Sequence, residues 1–316
     1  CKNPVEKAHR LQDEQKEYIL MIELHNGPTS LGLVREDIEN PYYRGTRFDR
    51  SGIILTLSNA GRQYVSQWFL QYDPLKHDAV GGPAEEFTQI GYDEAEAGEG
   101  FLKIGVGILG RNAEPYDRFK LYEIIDEGER SFNHNDGSAV FGQRLNYGRY
   151  GYDYVKKVSI EKDGGLVIEH KILNLGTVAL NFQTYNHNFF VLDGAFTGRD
   201  TEFDLPFKPS GHWRSEYDCV HLTDSGICFT RDLEPGESVF MGDLQGPEPQ
   251  RNYSFRLLNR AKGLTVDASS DATMDYAVFW CNHEVACLEP YIKFHIETGE
   301  SAEWSIRYKF GTVKSY

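Results

Sequence analysis

Short alternations of apolar and polar residues, bounded by glycine, asparagine or aspartate, run through most of the chain. This two-residue period is that of strands with one buried face. Val158–Lys162 and Leu166–His170 flank Asp163-Gly164-Gly165, which predicts an antiparallel hairpin whose centre supplies the positive φ of a tight turn. Val220–Leu222 and Ile227–Phe229 around Thr223-Asp-Ser-Gly226 predict a second. Phe119–Ile125, Tyr276–Trp280 and Trp304–Phe310 read as further strands, with 19 Tyr, 19 Phe and 31 Gly matching that bias. Only Pro4–Glu17 reads as helix, through its strong helix formers and early proline, yet it has little apolar surface to bury. No strand–helix alternation of a parallel α/β fold appears. The pattern predicts an all-β fold, a large antiparallel β-sandwich over residues 21–316 as one domain, preceded by a short helix or leader over 1–20.

The composition narrows the partners. Of 316 residues, 40% are hydrophobic and 13% aromatic, enough for a large core and against wholesale disorder. Lys and Arg number 33 against 48 Asp and Glu, a formal charge of −15. A nucleic-acid backbone or an anionic membrane requires the opposite balance. No run reaches the roughly 18 consecutive apolar residues of a transmembrane helix. The five cysteines are odd in number and lack CxxC spacing, so they predict free thiols rather than a disulfide framework or a four-thiolate zinc site. Cys1 opens the chain without an initiator Met. That favours a lipid-bearing N-terminus in a bacterial envelope over a cytoplasmic chain trimmed of its Met.

Several motifs fail on context. Gly105-Val-Gly-Ile-Leu-Gly110 spells a dinucleotide fingerprint, but Arg111-Asn-Ala-Glu-Pro115 follows where a helix must begin, so a strand and turn are expected. Cys281-Asn-His-Glu-Val-Ala-Cys287 would divide its ligands between two strand faces, and no metal is expected there. Asn252-Tyr-Ser254 fits a glycosylation sequon of a length that occurs by chance. No cofactor motif, nucleophile elbow or calcium loop is present.

Three polar clusters interrupt the strand pattern. Asn40–Arg50 is dense in arginine and aromatics, the combination that meets hydroxyls with donors and sugar C–H faces with flat apolar surface. In Lys76–Phe87, Gly81, Gly82 and Pro83 shape a loop able to approach a ligand, while His77, Glu85 and Glu86 offer protons and acceptors. The third joins Gln183–Phe190 to Cys287–Tyr291. His187, on a face with Tyr185 and Phe189, and Glu289, just before Pro290, would form an acid/base pair if their strands were neighbours.

Thr184-Tyr-Asn-His187-Asn-Phe-Phe190 resembles the Thr-x-x-Asn-His-x-x-Phe segment of aldose 1-epimerases, the galactose mutarotases. Leu288-Glu-Pro290, Glu297-Thr-Gly-Glu300 and the strand Trp304–Phe310 resemble that superfamily's C-terminal segments, and Arg44-Gly-Thr-Arg47 sits where such proteins often place a sugar-binding arginine. The resemblance spans roughly residues 25–310. It departs from the pattern in two places. The early histidine beside a Gly-Gly pair is displaced to His77, with Glu85 or Glu86 filling the space, and the segment after Glu289 is short.

The resemblance implies a mutarotase-like isomerase that needs no cofactor and takes a small carbohydrate. Glu289 would remove the anomeric hydroxyl proton and His187 would protonate the ring oxygen. Arg47, Arg44, His77 and Glu85 are the implied substrate-binding residues. Competing readings are a lyase-like enzyme on the same sandwich and a carbohydrate-binding protein without turnover.

Overall fold

A computed structural model describes residues 21–34, 42–76, 80–246 and 252–313. Twenty-three strands form four antiparallel sheets, and the one helical segment among the described residues is the 3-10 turn Leu192–Gly194. No helix among them is long and apolar enough to cross a membrane. The helix expected over Pro4–Glu17, Cys1 and His77 lie outside the described residues.

Two sheets make the sandwich. A ten-stranded sheet runs from Val220–Leu222 to Glu129–Asn135, with Leu264–Thr273, Ser301–Thr312 and Leu166–Asn174 as successive neighbours between. A six-stranded sheet has the order Ser210–Trp213, Ser238–Gln245, Tyr276–Asn282, Ala286–Ile296, Leu180–His187, Ala84–Phe87. Their facing sides bury one apolar layer, in which the Phe203 and Phe279 rings lie 5.5 Å apart and Phe294 and Trp304 4.5 Å. Both predicted hairpins form: Ile160 pairs with Leu166 with Gly164 at φ +87°, and Val220 pairs with Phe229. The glycine motif is a turn leading into the strand Gly107–Gly110.

Phe119–Ile125 is a correction, because only Ile124–Asp126 is strand. The Asp117 carboxylate accepts the Phe119 amide at 2.9 Å and its carbonyl accepts the Lys120 amide, which closes a turn instead of a ladder. Phe119 and Leu121 consequently stand exposed.

The strand Ala84–Phe87 pairs Glu86 with Tyr185 and Glu85 with Asn186. Successive side chains point to opposite faces, so the two adjacent glutamates part company. Glu85 turns into the sandwich, where it meets the Lys156 ammonium and accepts from Asn186 Nδ2 at 3.1 Å. Lys156 also donates to the Ser51 carbonyl at 2.7 Å and lies 3.6 Å from Asp49. Burial alone would push Lys156 down, but Glu85 and Asp49 outweigh it and keep it charged. Gly81 and Gly82 tighten the approach to this strand. A Cβ on Gly82 would lie 2.7 Å from the His187 carbonyl, and one on Gly81 2.2 Å from the Ile54 carbonyl. These glycines bring backbones together beneath the site, whereas the sequence suggested a ligand-facing loop.

Replacing Lys156 with Met strands two buried carboxylates, and breaking such a pair costs about 3–5 kcal/mol. The denaturation midpoint of Lys156→Met should fall accordingly; an unchanged midpoint would mean that Glu85 is carried as the neutral acid.

Candidate active site

Leu180–His187 directs Leu180, Phe182, Thr184 and Asn186 to the core, and Tyr185 and His187 to the outer face of the six-stranded sheet. On the neighbouring Ala286–Ile296 the same parity sets Leu288 and Ile292 inward and Glu289 and Tyr291 outward. The ladder between the two strands runs from Leu180–Ile296 to Thr184–Ile292. Two residues further on, Pro290 has no N–H with which to continue it. Asn188 Nδ2 bridges the gap to the Leu288 carbonyl at 2.7 Å, while its Oδ1 accepts from Tyr308 of the opposite sheet at 2.8 Å. Where the ladder stops, His187 Nε2 and Glu289 Oε1 stand 3.1 Å apart, both buried.

Aromatic rings fix the imidazole. Phe189 stacks on it at 3.8 Å, Trp68 stacks on Phe189 at 4.9 Å, and Trp280 meets the imidazole edge-on at 5.4 Å. Burial drives the Glu289 carboxyl up to about 8, against a smaller opposing pull from Arg47. Burial thus favours its neutral form.

Beside the pair lies a second charged group. Glu86 accepts from Arg47 Nε at 2.6 Å and from the Tyr185 hydroxyl at 2.5 Å, with Lys103 Nζ at 3.5 Å and Arg118 Nε at 3.6 Å. Burial would raise this carboxyl, but Arg47, Lys103 and Arg118 together hold it down at about 2. Lys103, wholly buried, is pushed down by burial to about 8. Arg47 also donates to Tyr185 at 2.8 Å and lies over the Phe48 and Phe119 rings. Its fork is fixed before any ligand arrives.

Arg118, Phe119, Trp68 and Trp280 help to line a cleft of about 1020 Å³ that crosses the outer face of the six-stranded sheet. Arg47, His187 and Glu289 line it together. Glu85 does not, because strand parity turns it into the sandwich; its neighbour Glu86 is the glutamate on the cleft side. Arg44 is exposed outside the cleft lining. His77 lies outside the described residues.

Sequence reasoning missed Arg118, Lys103, Trp68 and Arg214. Arg118 stands next to Phe119, the Arg-aromatic adjacency already noted in Arg47-Phe48. A lone lysine in Phe101-Leu-Lys-Ile104 was equally legible as a buried charge in need of an acid.

No protein-family model matches the chain, and the search of curated proteins returns no match. Solved structures do match its fold. The Slr1438 protein from Synechocystis sp. PCC 6803 is 14% identical, with 93% of this chain and 96% of that one covered and a TM-score of 0.56. A galactose mutarotase related enzyme from Lactobacillus acidophilus is 13% identical over 93% and 100% of the two chains, with a TM-score of 0.56. A galactose mutarotase-like protein from Clostridium acetobutylicum is 12% identical over 94% and 100%, with a TM-score of 0.54. The β-sandwich is therefore the fold of galactose mutarotase-like proteins.

Glu289 has a consequence for stability. Its carboxyl ionises near 4.5 in an unfolded chain and near 8 in the fold, so folding takes up a proton between those values. Stability contributed by the neutral carboxyl is complete at low pH and is lost as pH rises to about 8. Glu289→Gln, which cannot ionise, should raise the melting temperature by an amount that grows across this window and then levels off. The shift corresponds to a few kcal/mol at most, on the order of 1.4 per pKa unit. A gain independent of pH would contradict the assignment.

Proposed function

We propose that the chain is an aldose 1-epimerase-like isomerase that interconverts the anomers of a sugar by general acid/base catalysis. The observation that carries this reading is the 3.1 Å approach of His187 Nε2 and Glu289 Oε1 within a cleft lined by arginine and aromatic rings. Anomer exchange moves two protons between oxygens attached to one carbon, so the groups that move them must sit close together. Glu289, as carboxylate, takes the proton from the C1 hydroxyl; the C1–O1 bond becomes a carbonyl and the bond from C1 to the ring oxygen breaks. His187, as imidazolium, gives its proton to the ring oxygen. Rotation about C1–C2 and the reverse transfers close the ring from the other face.

Ring opening leaves Glu289 protonated and His187 neutral, and their contact allows the pair to be reset by direct transfer without solvent. Arg47, held by Glu86 and Tyr185, offers hydroxyl donors in a fixed direction. The fold shared with mutarotase-like proteins and the resemblance around His187 and Glu289 support the same reading.

Saturation-transfer NMR on free aldoses tests it. Glu289→Gln and His187→Ala should each lower anomer exchange by about 10²–10⁴-fold, the usual worth of a positioned acid or base, with the β circular-dichroism spectrum retained. If both variants match the wild type, the assignment fails; an unsaturated, ultraviolet-absorbing product would instead mark elimination by a lyase. The pair must hold one proton, with Glu289 ionised and His187 protonated at the moment of reaction, so kcat/KM should be bell-shaped and fall above about 8, where the pair loses that proton. A profile that keeps rising above about pH 8 would contradict the assignment of His187 as the acid.

A further inference from the structure

The cleft is longer than one sugar. Pockets for drug-sized ligands span about 300–1,000 Å³, and this one reaches about 1020 Å³. It runs from Thr88 and Gln89, just beyond the strand at one edge of the six-stranded sheet, to Arg214, just beyond the strand at the other. His187 and Glu289 stand on two of the four strands between, those nearest the Thr88 end. Strands lie about 4.8 Å apart, so Phe240 and Asp243 are displaced from Glu289 by two strands, roughly 10 Å, and Arg214 by more. One pyranose ring held at the acid/base pair does not reach them.

The two ends differ in what they leave available. On the Arg47 side, Arg47, Lys103 and Arg118 all converge on Glu86. On the far side, the Arg214 guanidinium lies over the Phe240 ring, its Cζ 3.9 Å from the centroid, and makes no ion pair among the described residues. Asp243, exposed, has His212 at 3.7 Å as its one ion-pair partner among the described residues. Its backbone is left-handed at φ +50°, and it sits where the strand Ser238–Gln245 slips register against Tyr276–Asn282. A non-glycine residue rarely takes that conformation, and residues that do cluster at functional sites. An exposed fork, an exposed carboxylate and aromatic faces are the donors, acceptors and flat surface that suit a neutral ring of hydroxyls. The Asp243 carboxylate in the same stretch of lining makes this end unfavourable for an anion.

Resting on the isomerase reading above, we propose that Arg214, Asp243 and Phe240 form a second sugar subsite, so that the substrate is the reducing end of a di- or oligosaccharide.

Anomer exchange is compared for glucose, galactose, maltose, cellobiose and lactose, with glucuronate and glucose 6-phosphate as anionic monosaccharides. Binding of each is measured separately by calorimetry. At least one disaccharide should exceed its own reducing-end monosaccharide by tenfold or more in kcat/KM and in affinity. Arg214→Gln and Asp243→Asn should each shrink that disaccharide-to-monosaccharide ratio at least fivefold, with Arg214→Lys recovering part of it. Equal handling of mono- and disaccharides, a ratio untouched by both variants, or an anionic monosaccharide preferred over every disaccharide overturns the subsite. If no sugar is exchanged, the isomerase reading falls. The subsite then stands or falls on binding: disaccharide affinity that depends on Arg214 and Asp243 upholds it, and its absence overturns it.

Discussion

Two glutamates adjacent in the chain are buried on opposite faces of one four-residue strand, and each has its own cations. Glu85 ties that strand to Lys156 across the sandwich, and Glu86 ties it to Arg47, Lys103 and Arg118 beneath the cleft. A buried carboxylate without such partners is severely penalised. The register of Ala84–Phe87 against Leu180–His187 is thereby held from both sides, because a slip of one residue would exchange the two environments. The orientation of Tyr185 and His187 depends on that register.

The sheet-forming segments were legible because a half-buried strand writes its period directly into the sequence, as in both hairpins and Trp304–Phe310. The meeting of His187 with Glu289 was legible through the resemblance around Thr184–Phe190 and Leu288–Pro290, because the strand period alone does not say which strands are neighbours. The choice between Glu85 and Glu86 was not. Parity decides it, and parity requires knowing which face of a short edge strand is the outer one. Phe119–Ile125 misled for a related reason: its apolar content serves a turn closed by Asp117 and the cleft wall, where periodicity carries no meaning. Arg214 and Asp243 come from segments with no distinctive composition, and only the assembled sheet brings them to the cleft.

The net charge is −15, yet three cations gather around the single carboxylate of Glu86. The local field in a low-dielectric cleft is set by such near groups more than by distant surface charge. Glu289 feels burial and the Arg47 guanidinium together, so its proton affinity is a property of the cleft rather than of the molecule's overall balance.

The aromatic column behind His187 gives the molecule an optical property. Two of its four tryptophans, Trp68 and Trp280, line the cleft and pack around the imidazole and Phe189. Indole emission responds to the charge and solvation of its neighbours. Occupancy of the cleft, and the protonation of the ring at its centre, are thus coupled to the intrinsic fluorescence of the native chain without any label.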